Sequence, residues 1–303
     1  MKLMAFLVIV FVANACKAPR RIGAVTESKT LLVNGETLTF VDEGTGPPIL
    51  FLHGAVADHR AWGLQREAIA TKYRFIALTM RYFGIAPWPD SGTNFSQETH
   101  VVDIAAFIQK LGAGPVFVVG HSYGSRTALA LAVRHPDLVR GLFLNEPGLF
   151  SAVTDSSARD SAAKDRLAMN AVATIAQTGT AQQVSREWSA YVTGMPDSFD
   201  SLPAASKQMM VDNARTVPLQ LKPQMQIPLT CADLDQIRVP VAITMGEHTR
   251  PYFRITVGAV SRCLPISRLI VIERATHRAP TENPIAFNQA LIAFICRLTR
   301  SCS

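Results

Sequence analysis

The stretch Pro115–Val133, PVFVVGHSYGSRTALALAV, runs apolar, turns sharply through Gly120-His121-Ser122-Tyr123-Gly124 and continues into alanine-rich sequence. Such an apolar run fits a strand buried on both faces, and the alanines after it favour a helix. A serine between two glycines at that junction is either a passive turn residue or one whose hydroxyl is pushed out to react. A hydroxyl becomes a useful nucleophile only when a base takes its proton and donors await the oxyanion. Strand, Gly-x-Ser-x-Gly, helix is the context of a nucleophile elbow. Gly120 and Gly124 lack Cβ atoms, so strand and helix can close around a strained Ser122. The helix N-terminus brings N–H groups and its positive dipole end to the same place.

Outward from the elbow, strand-like and helix-like segments alternate. Thr30–Asn34 and Thr37–Val41 are β-rich around Asn34-Gly35, a strong hairpin signal. Pro48–His53 and Arg74–Thr79 are continuous apolar runs, with a helix expected over Ala61–Ala70 and another over Thr99–Leu111. The elbow strand and a helix over Ser122–Arg134 follow, then a strand over Val139–Leu144. From Ser151 to about Asp235 the chain is polar, alanine-rich and helix-leaning. Alternation resumes with a strand at Val239–Thr244, a helix at Tyr252–Ser261, a strand at Arg268–Ile272 and a helix at Pro284–Arg297. The pattern predicts one α/β core, residues 27–150 and 236–303, built on a parallel sheet with helices on both faces. A helical insertion over residues 151–235 interrupts it.

Candidate partners for Ser122 follow from the same layout. His53-Gly54-Ala55 ends a strand in a small-residue loop, so the Ala55 N–H can join that of Tyr123 as an oxyanion hole. His53 reads as structural, His121 as packed inside the elbow, and His59, His100 and His135 as loop or helix-surface residues. His277 lies between a late strand and the last helix, where a triad histidine comes in chain order. Arg250 and Arg254 could bind a substrate anion near the late-strand loop. Trp62, Trp88 and Trp188 are expected in the core or against the insertion, with lining a pocket as the alternative.

These residues together resemble an α/β-hydrolase with a cap, from Thr30 to the C-terminus. The resemblance is carried by His53-Gly54, Arg81 and Gly84 in TMRYFG, Gly120 to Gly124, Gly246, and Ala275-Thr276-His277. It implies an α/β-hydrolase fold with a mostly parallel eight-stranded sheet, a helical cap after strand 6, a Ser-acid-His triad, no cofactor and no metal. Two positions depart from the family pattern. An aspartate usual before the arginine is Thr79 here. The triad acid usually sits three residues after the glycine that ends the seventh strand, and that residue is Thr249. A threonine cannot stabilise the imidazolium formed on His277. Glu146, in FLNEPG at the end of the strand after the elbow helix, is the favoured replacement, because several branches of the family take their acid there. Glu247, two residues before the usual slot, is the alternative. The elbow serine implies an acyl-enzyme, whereas relatives with an aspartate there form an alkyl ester. A small carboxylic ester or lactone is therefore the expected substrate. The alternatives are a C–C bond hydrolase or perhydrolase on the same triad, and a non-catalytic ligand-binding protein kept alive by the missing acid at 249.

Composition bounds the rest. The chain has 303 residues, a net charge of +7 and no basic run denser than Arg20-Arg21, which argues against nucleic acid. Met1-Lys2, an apolar stretch over Leu3–Ala13 and Ala13-Asn14-Ala15 read as a signal peptide over residues 1–15. That stretch is too short to span a bilayer. Export to the periplasm or the outside is expected, with a lipid anchor on Cys16 as the alternative. The other four cysteines, Cys231, Cys263, Cys296 and Cys302, form an even set compatible with one or two disulfides. No CxxC spacing suggests zinc.

Overall fold

The computed structural model describes residues 27–222 and 225–299. The segment 1–15, expected to be a signal peptide, and Cys16 lie outside the described residues. Eight strands form one sheet: β1 (Lys29–Val33), β2 (Glu36–Glu43), β3 (Pro48–Leu52), β4 (Arg74–Leu78), β5 (Val116–His121), β6 (Val139–Asn145), β7 (Val241–Gly246) and β8 (Ser267–Ile272). Their order is β1-β2-β4-β3-β5-β6-β7-β8. Pairing is antiparallel from β1 to β2 and from β2 to β4, and parallel elsewhere. Asn34 and Gly35, both at positive φ, make the β1–β2 turn read in the sequence.

The helices of the core are α1 (Gly63–Ala70), α2 (Gln97–Lys110) and α3 (Tyr123–Arg134). Between β6 and β7 the chain forms α4 (Ser156–Arg166), α5 (Met169–Thr178), α6 (Ala181–Thr193), α7 (Ala204–Asn213), α8 (Val217–Gln220) and α9 (Cys231–Leu234). After β7 come α10 (Pro251–Cys263), α11 (Ala279–Glu282) and α12 (Pro284–Thr299).

The two-residue period of the strands divides the apolar residues between two layers. Leu50, Leu52, Ile76, Leu78 and Val118 face α2, α3 and α10 through Ile104, Phe107, Leu129 and Val257. Their neighbours Ile49, Phe51, Phe75, Ala77 and Val119 face α1 and α12 through Ile69, Phe287, Leu291 and Ile295. Both faces are covered, which is why the strands read as unbroken apolar runs. Burying each of these large side chains contributes about 1.5–3 kcal/mol.

The helices between β6 and β7 close on a smaller core that includes Val172, Val184, Tyr191, Phe199 and Val217, packed on Tyr252 and Phe253 of α10. Polar clamps fix this layer over the carboxyl ends of the strands. Asn213 accepts from the Gly84 N–H at 2.6 Å and donates to Asp58 at 2.8 Å. Arg60 bridges Asp58 and Asp212 at 2.6 and 2.8 Å. A disulfide joins Cys231 of α9 to Cys263 of α10. Among the described residues no helix is long and apolar enough to cross a membrane.

Candidate active site

β5 delivers Ser122 to the start of α3 with φ 52° and ψ −109°, a region unfavourable for a side-chain-bearing residue. The strain is held in place by packing. A Cβ on Gly120 would lie 2.6 Å from the Ser125 Cα, and one on Gly124 would lie 2.2 Å from the Leu52 carbonyl oxygen. Both contacts are with backbone that cannot move aside, so only glycine fits. The Asn145 carbonyl at the end of β6 accepts from the Ser122 N–H at 2.8 Å and from the Ser125 hydroxyl at 3.0 Å. The Asn145 amide then reaches across to donate to the His277 carbonyl at 3.0 Å. One residue thus ties the elbow to the loop that carries His277.

Glu146 is the next residue, fully buried and at φ 45°. Its Oε2 lies 2.6 Å from His277 Nδ1. The same oxygen accepts from the Thr249 hydroxyl at 2.8 Å, and Oε1 accepts from the Gly246 N–H at 2.8 Å. A buried carboxylate is costly unless its oxygens are satisfied, and three donors meet these two. Thr249, at the position where relatives carry the acid, instead supplies one of those donors. A proton on Nδ1 directed at Glu146 leaves Nε2 as the acceptor nitrogen of the ring. Phe253 stacks on that ring, centroids 3.8 Å apart.

Glu247 is not brought to His277. Its Oε2 accepts from the Arg274 N–H at 2.9 Å, and its side chain is 47% exposed. A strand alternates faces, and continuing past Gly246 sends Glu247 outward to the turn after β8.

Tyr123 opens α3, so its N–H is one of the first-turn donors that a helix leaves unpaired. Ala55 follows the β3 end, and both residues line a cavity with Ser122. His53 holds that loop: its ring lies 2.8 Å from the Gly54 carbonyl through Nδ1 and accepts from the Met80 N–H at 3.1 Å through Nε2. Burial lowers His53 to about 4 and keeps it neutral. His121 lies under the elbow with Nε2 3.1 Å from the His277 carbonyl, and burial beside His277 lowers it to about 3.

His100 corrects its reading as a surface residue. It is fully buried where α2 meets α3, between the Tyr123 hydroxyl at 2.8 Å and the Arg81 carbonyl at 3.1 Å. Its burial pushes it down to about 3. His59 meets Thr79, whose hydroxyl lies 2.7 Å from its Nδ1, so the threonine that replaces the usual aspartate has a partner of its own.

The arginines expected to hold an anion do not face the cavities. Arg250 pairs with Asp165 at 2.9 Å and lies over the Tyr191 ring, and Arg254 donates to the Glu247 carbonyl at 2.8 Å. Arg126, Arg159 and Arg166 line a cavity instead, and nothing in their sequence spacing marks them. Trp62 is core, against Phe51, and also touches a cavity; Trp188 lines both cavities; Trp88 donates to the Tyr82 carbonyl elsewhere.

Two cavities, of about 380 and 390 Å³, share Ser122, Ala55, Trp188 and Val192 on their walls. His277 lines the second. Ser122, His277 with its Glu146 partner, Ala55 and Tyr123 are therefore gathered around these two cavities.

Comparison with known proteins agrees with this architecture. The pattern of the alpha/beta hydrolase family matches residues 49–290, and the chain belongs to that family. A 2-(acetamidomethylene)succinate hydrolase from Mesorhizobium japonicum is 23% identical over 280 residues, covering 86% of this chain and 91% of that protein. Epoxide hydrolase 2 of Siraitia grosvenorii is 32% identical over 117 residues, which span 38% of this chain and only 37% of that enzyme. Among solved structures, an esterase from Exiguobacterium antarcticum superposes with a TM-score of 0.73 at 20% identity, covering 89% of this chain and 99% of that one. A thermophilic esterase from Thermogutta terrifontis gives 0.68 at 22% identity, with 90% and 99% covered. At these identities the structural matches speak to the fold alone.

Proposed function

We propose that the protein is a serine hydrolase that cleaves a small carboxylic ester or lactone through an acyl-enzyme. The observation that carries this is the Ser122 elbow facing a cavity also lined by His277, whose Nδ1 meets the buried Glu146 carboxylate at 2.6 Å. Ser122 Oγ bonds to the carbonyl carbon as His277 Nε2 takes its proton, and the Ala55 and Tyr123 N–H groups hold the oxyanion. The carbon–alkoxy bond then breaks, and the proton passes from His277 to the leaving oxygen. Water repeats the sequence against the acyl-enzyme, so one ester and one water give one acid and one alcohol.

A serine at the elbow supports acyl chemistry over the alkyl-ester route of an aspartate nucleophile. The binding-protein alternative drew on the absent acid at 249, and Glu146 takes away that support. Export through the segment 1–15 is part of this proposal, and the Cys231–Cys263 disulfide suits an oxidising compartment. The test is a fluorophosphonate applied to the purified protein, with the adduct located by peptide mass. A single adduct on Ser122 that disappears in His277→Ala is expected. An unlabelled Ser122, under conditions that label a control serine hydrolase, would set the proposal aside.

A further inference from the structure

The two cavities that meet at Ser122 differ in charge. The second is walled by apolar side chains including Trp62, Leu202, Met209 and Met210, and its Arg278 and Glu282 pair with each other at 3.1 Å. The first carries Arg126, Arg159 and Arg166 on its wall and no aspartate or glutamate. None of these three guanidiniums lies within 4.0 Å of a carboxylate among the described residues, unlike Arg250, Arg81 or Arg60.

Their placement keeps them aimed at one place. Arg126 stands on α3 one turn beyond Ser122, half-buried, with its guanidinium over the Tyr123 ring at 5.5 Å and one nitrogen donating to Gln226 at 3.0 Å. Arg159 and Arg166 are seven residues apart on α4, two turns along one face, at the exposed mouth. Both sit over the same Phe150 ring, at 4.5 and 5.9 Å. Arg159 also donates through one nitrogen to the Val153 carbonyl at 3.1 Å. Stacking holds a guanidinium by its face and leaves its remaining N–H groups to meet an anion. Of the carboxylates on α4 and at its cap, Asp155 accepts from the Ala158 N–H and Asp165 pairs with Arg250, while Asp160 is exposed and within 4.0 Å of none of the three guanidiniums. Deeper in the wall, the positive charges of Arg126 and Arg166 pull the Tyr252 phenol down against the burial that raises it, so their field reaches the cavity lining. Three like charges gathered without a counter-ion repel one another, and an anion among them removes that cost.

The position of His277 decides which half of the substrate the anion belongs to. The base must reach the leaving oxygen to return its proton, and His277 lines the apolar cavity, whereas Tyr123 of the oxyanion hole lines the arginine cavity. Accepting the serine hydrolase reading above, we infer that the substrate is an ester whose acyl half carries a carboxylate or phosphate, seated at Arg126, Arg159 and Arg166, and whose alcohol is apolar.

The test compares three benzyl esters of matched length: benzyl hydrogen glutarate, benzyl 3-phosphonopropanoate and the neutral benzyl pentanoate, with benzyl alcohol release measured chromatographically. At least one anionic ester should exceed the neutral one in kcat/KM by about tenfold or more, as a charged hydrogen bond permits. The better of the two identifies the anion. That ratio should fall as ionic strength rises, since two of the arginines are exposed. It should collapse towards one in Arg126→Gln and in the double variant Arg159→Gln/Arg166→Gln, and recover in part in Arg126→Lys. A ratio taken within one preparation is insensitive to how much of a variant folds. Equal or better turnover of the neutral ester overturns the inference, as does a ratio unmoved by all of these substitutions. If Ser122 takes a fluorophosphonate but no ester reacts, the substrate class assigned here is wrong. If Ser122 does not react at all, the hydrolase reading fails separately. Calorimetric titration with glutarate then decides the subsite alone: binding lost in Arg126→Gln upholds it, and no binding to the unaltered protein overturns it.

Discussion

The ends of β6 and β7 are neighbouring places where this sheet can seat a carboxylate against His277, and the chain has furnished them in opposite ways. At the end of β6, Glu146 is fully buried and takes hydrogen bonds from His277, Thr249 and Gly246. At the end of β7, Glu247 is half exposed and bonded to the Arg274 backbone, while Thr249 fills the usual acid position with a hydroxyl. What the contrast teaches is that a carboxylate 2.6 Å from His277 Nδ1 is supplied here from the β6 end, and on the proposed mechanism the β7 end is the other place from which one can reach it. Thr249 here is a donor to the Glu146 carboxylate, at 2.8 Å.

The comparison can be broken or sharpened by substitution. The largest effect is expected from Glu146→Gln, which leaves the shape but gives His277 the wrong partner; kcat on a reactive ester should fall by about 10⁴-fold. Adding Thr249→Asp to that variant returns a carboxylate from the β7 side, and kcat should rise by about ten- to a hundredfold over the single variant. Failure of this rescue, in a folded protein, would mean that the two strand ends are not interchangeable. Thr249→Val removes one donor from a buried carboxylate; a loss of about 1 kcal/mol, read as a drop in kcat near five- to tenfold, is expected from steady-state kinetics. The smallest effect belongs to Glu247→Gln, whose side chain faces solvent. Its unfolding free energy should change by no more than about 0.5 kcal/mol in a denaturant titration, with kcat unchanged.

The same contrast explains what the sequence could show. Strands such as PILFL and RFIAL were legible because burial on both faces leaves no polar positions to confuse the pattern. The elbow was legible because its glycines, strained serine and flanking elements are contiguous. Glu146 could be nominated as the residue ending a strand. Its contacts with Thr249 and His277 could not, for they join residues 103 and 131 positions apart. His100 reads as a helix-surface residue in the sequence because its burial depends on Tyr123, carried by a different helix. Arg250 looked available to a ligand because Asp165, its partner, lies 85 positions away on α4. Arg126, Arg159 and Arg166 carry no mark in the sequence because only the fold gathers α3 and α4 around one cavity. Local chemistry was readable, and pairings made by the fold were not.

The central claim, that the β6 end holds the acid, is tested most directly without any substrate. A proton shared in a short bond between His277 Nδ1 and a carboxylate resonates well downfield of the amide region in a proton NMR spectrum. The geometry predicts that this resonance is present in the unaltered protein and in Glu247→Gln, and absent from Glu146→Gln. A resonance that survives in Glu146→Gln and vanishes in Glu247→Gln would place the acid on β7 and contradict the account.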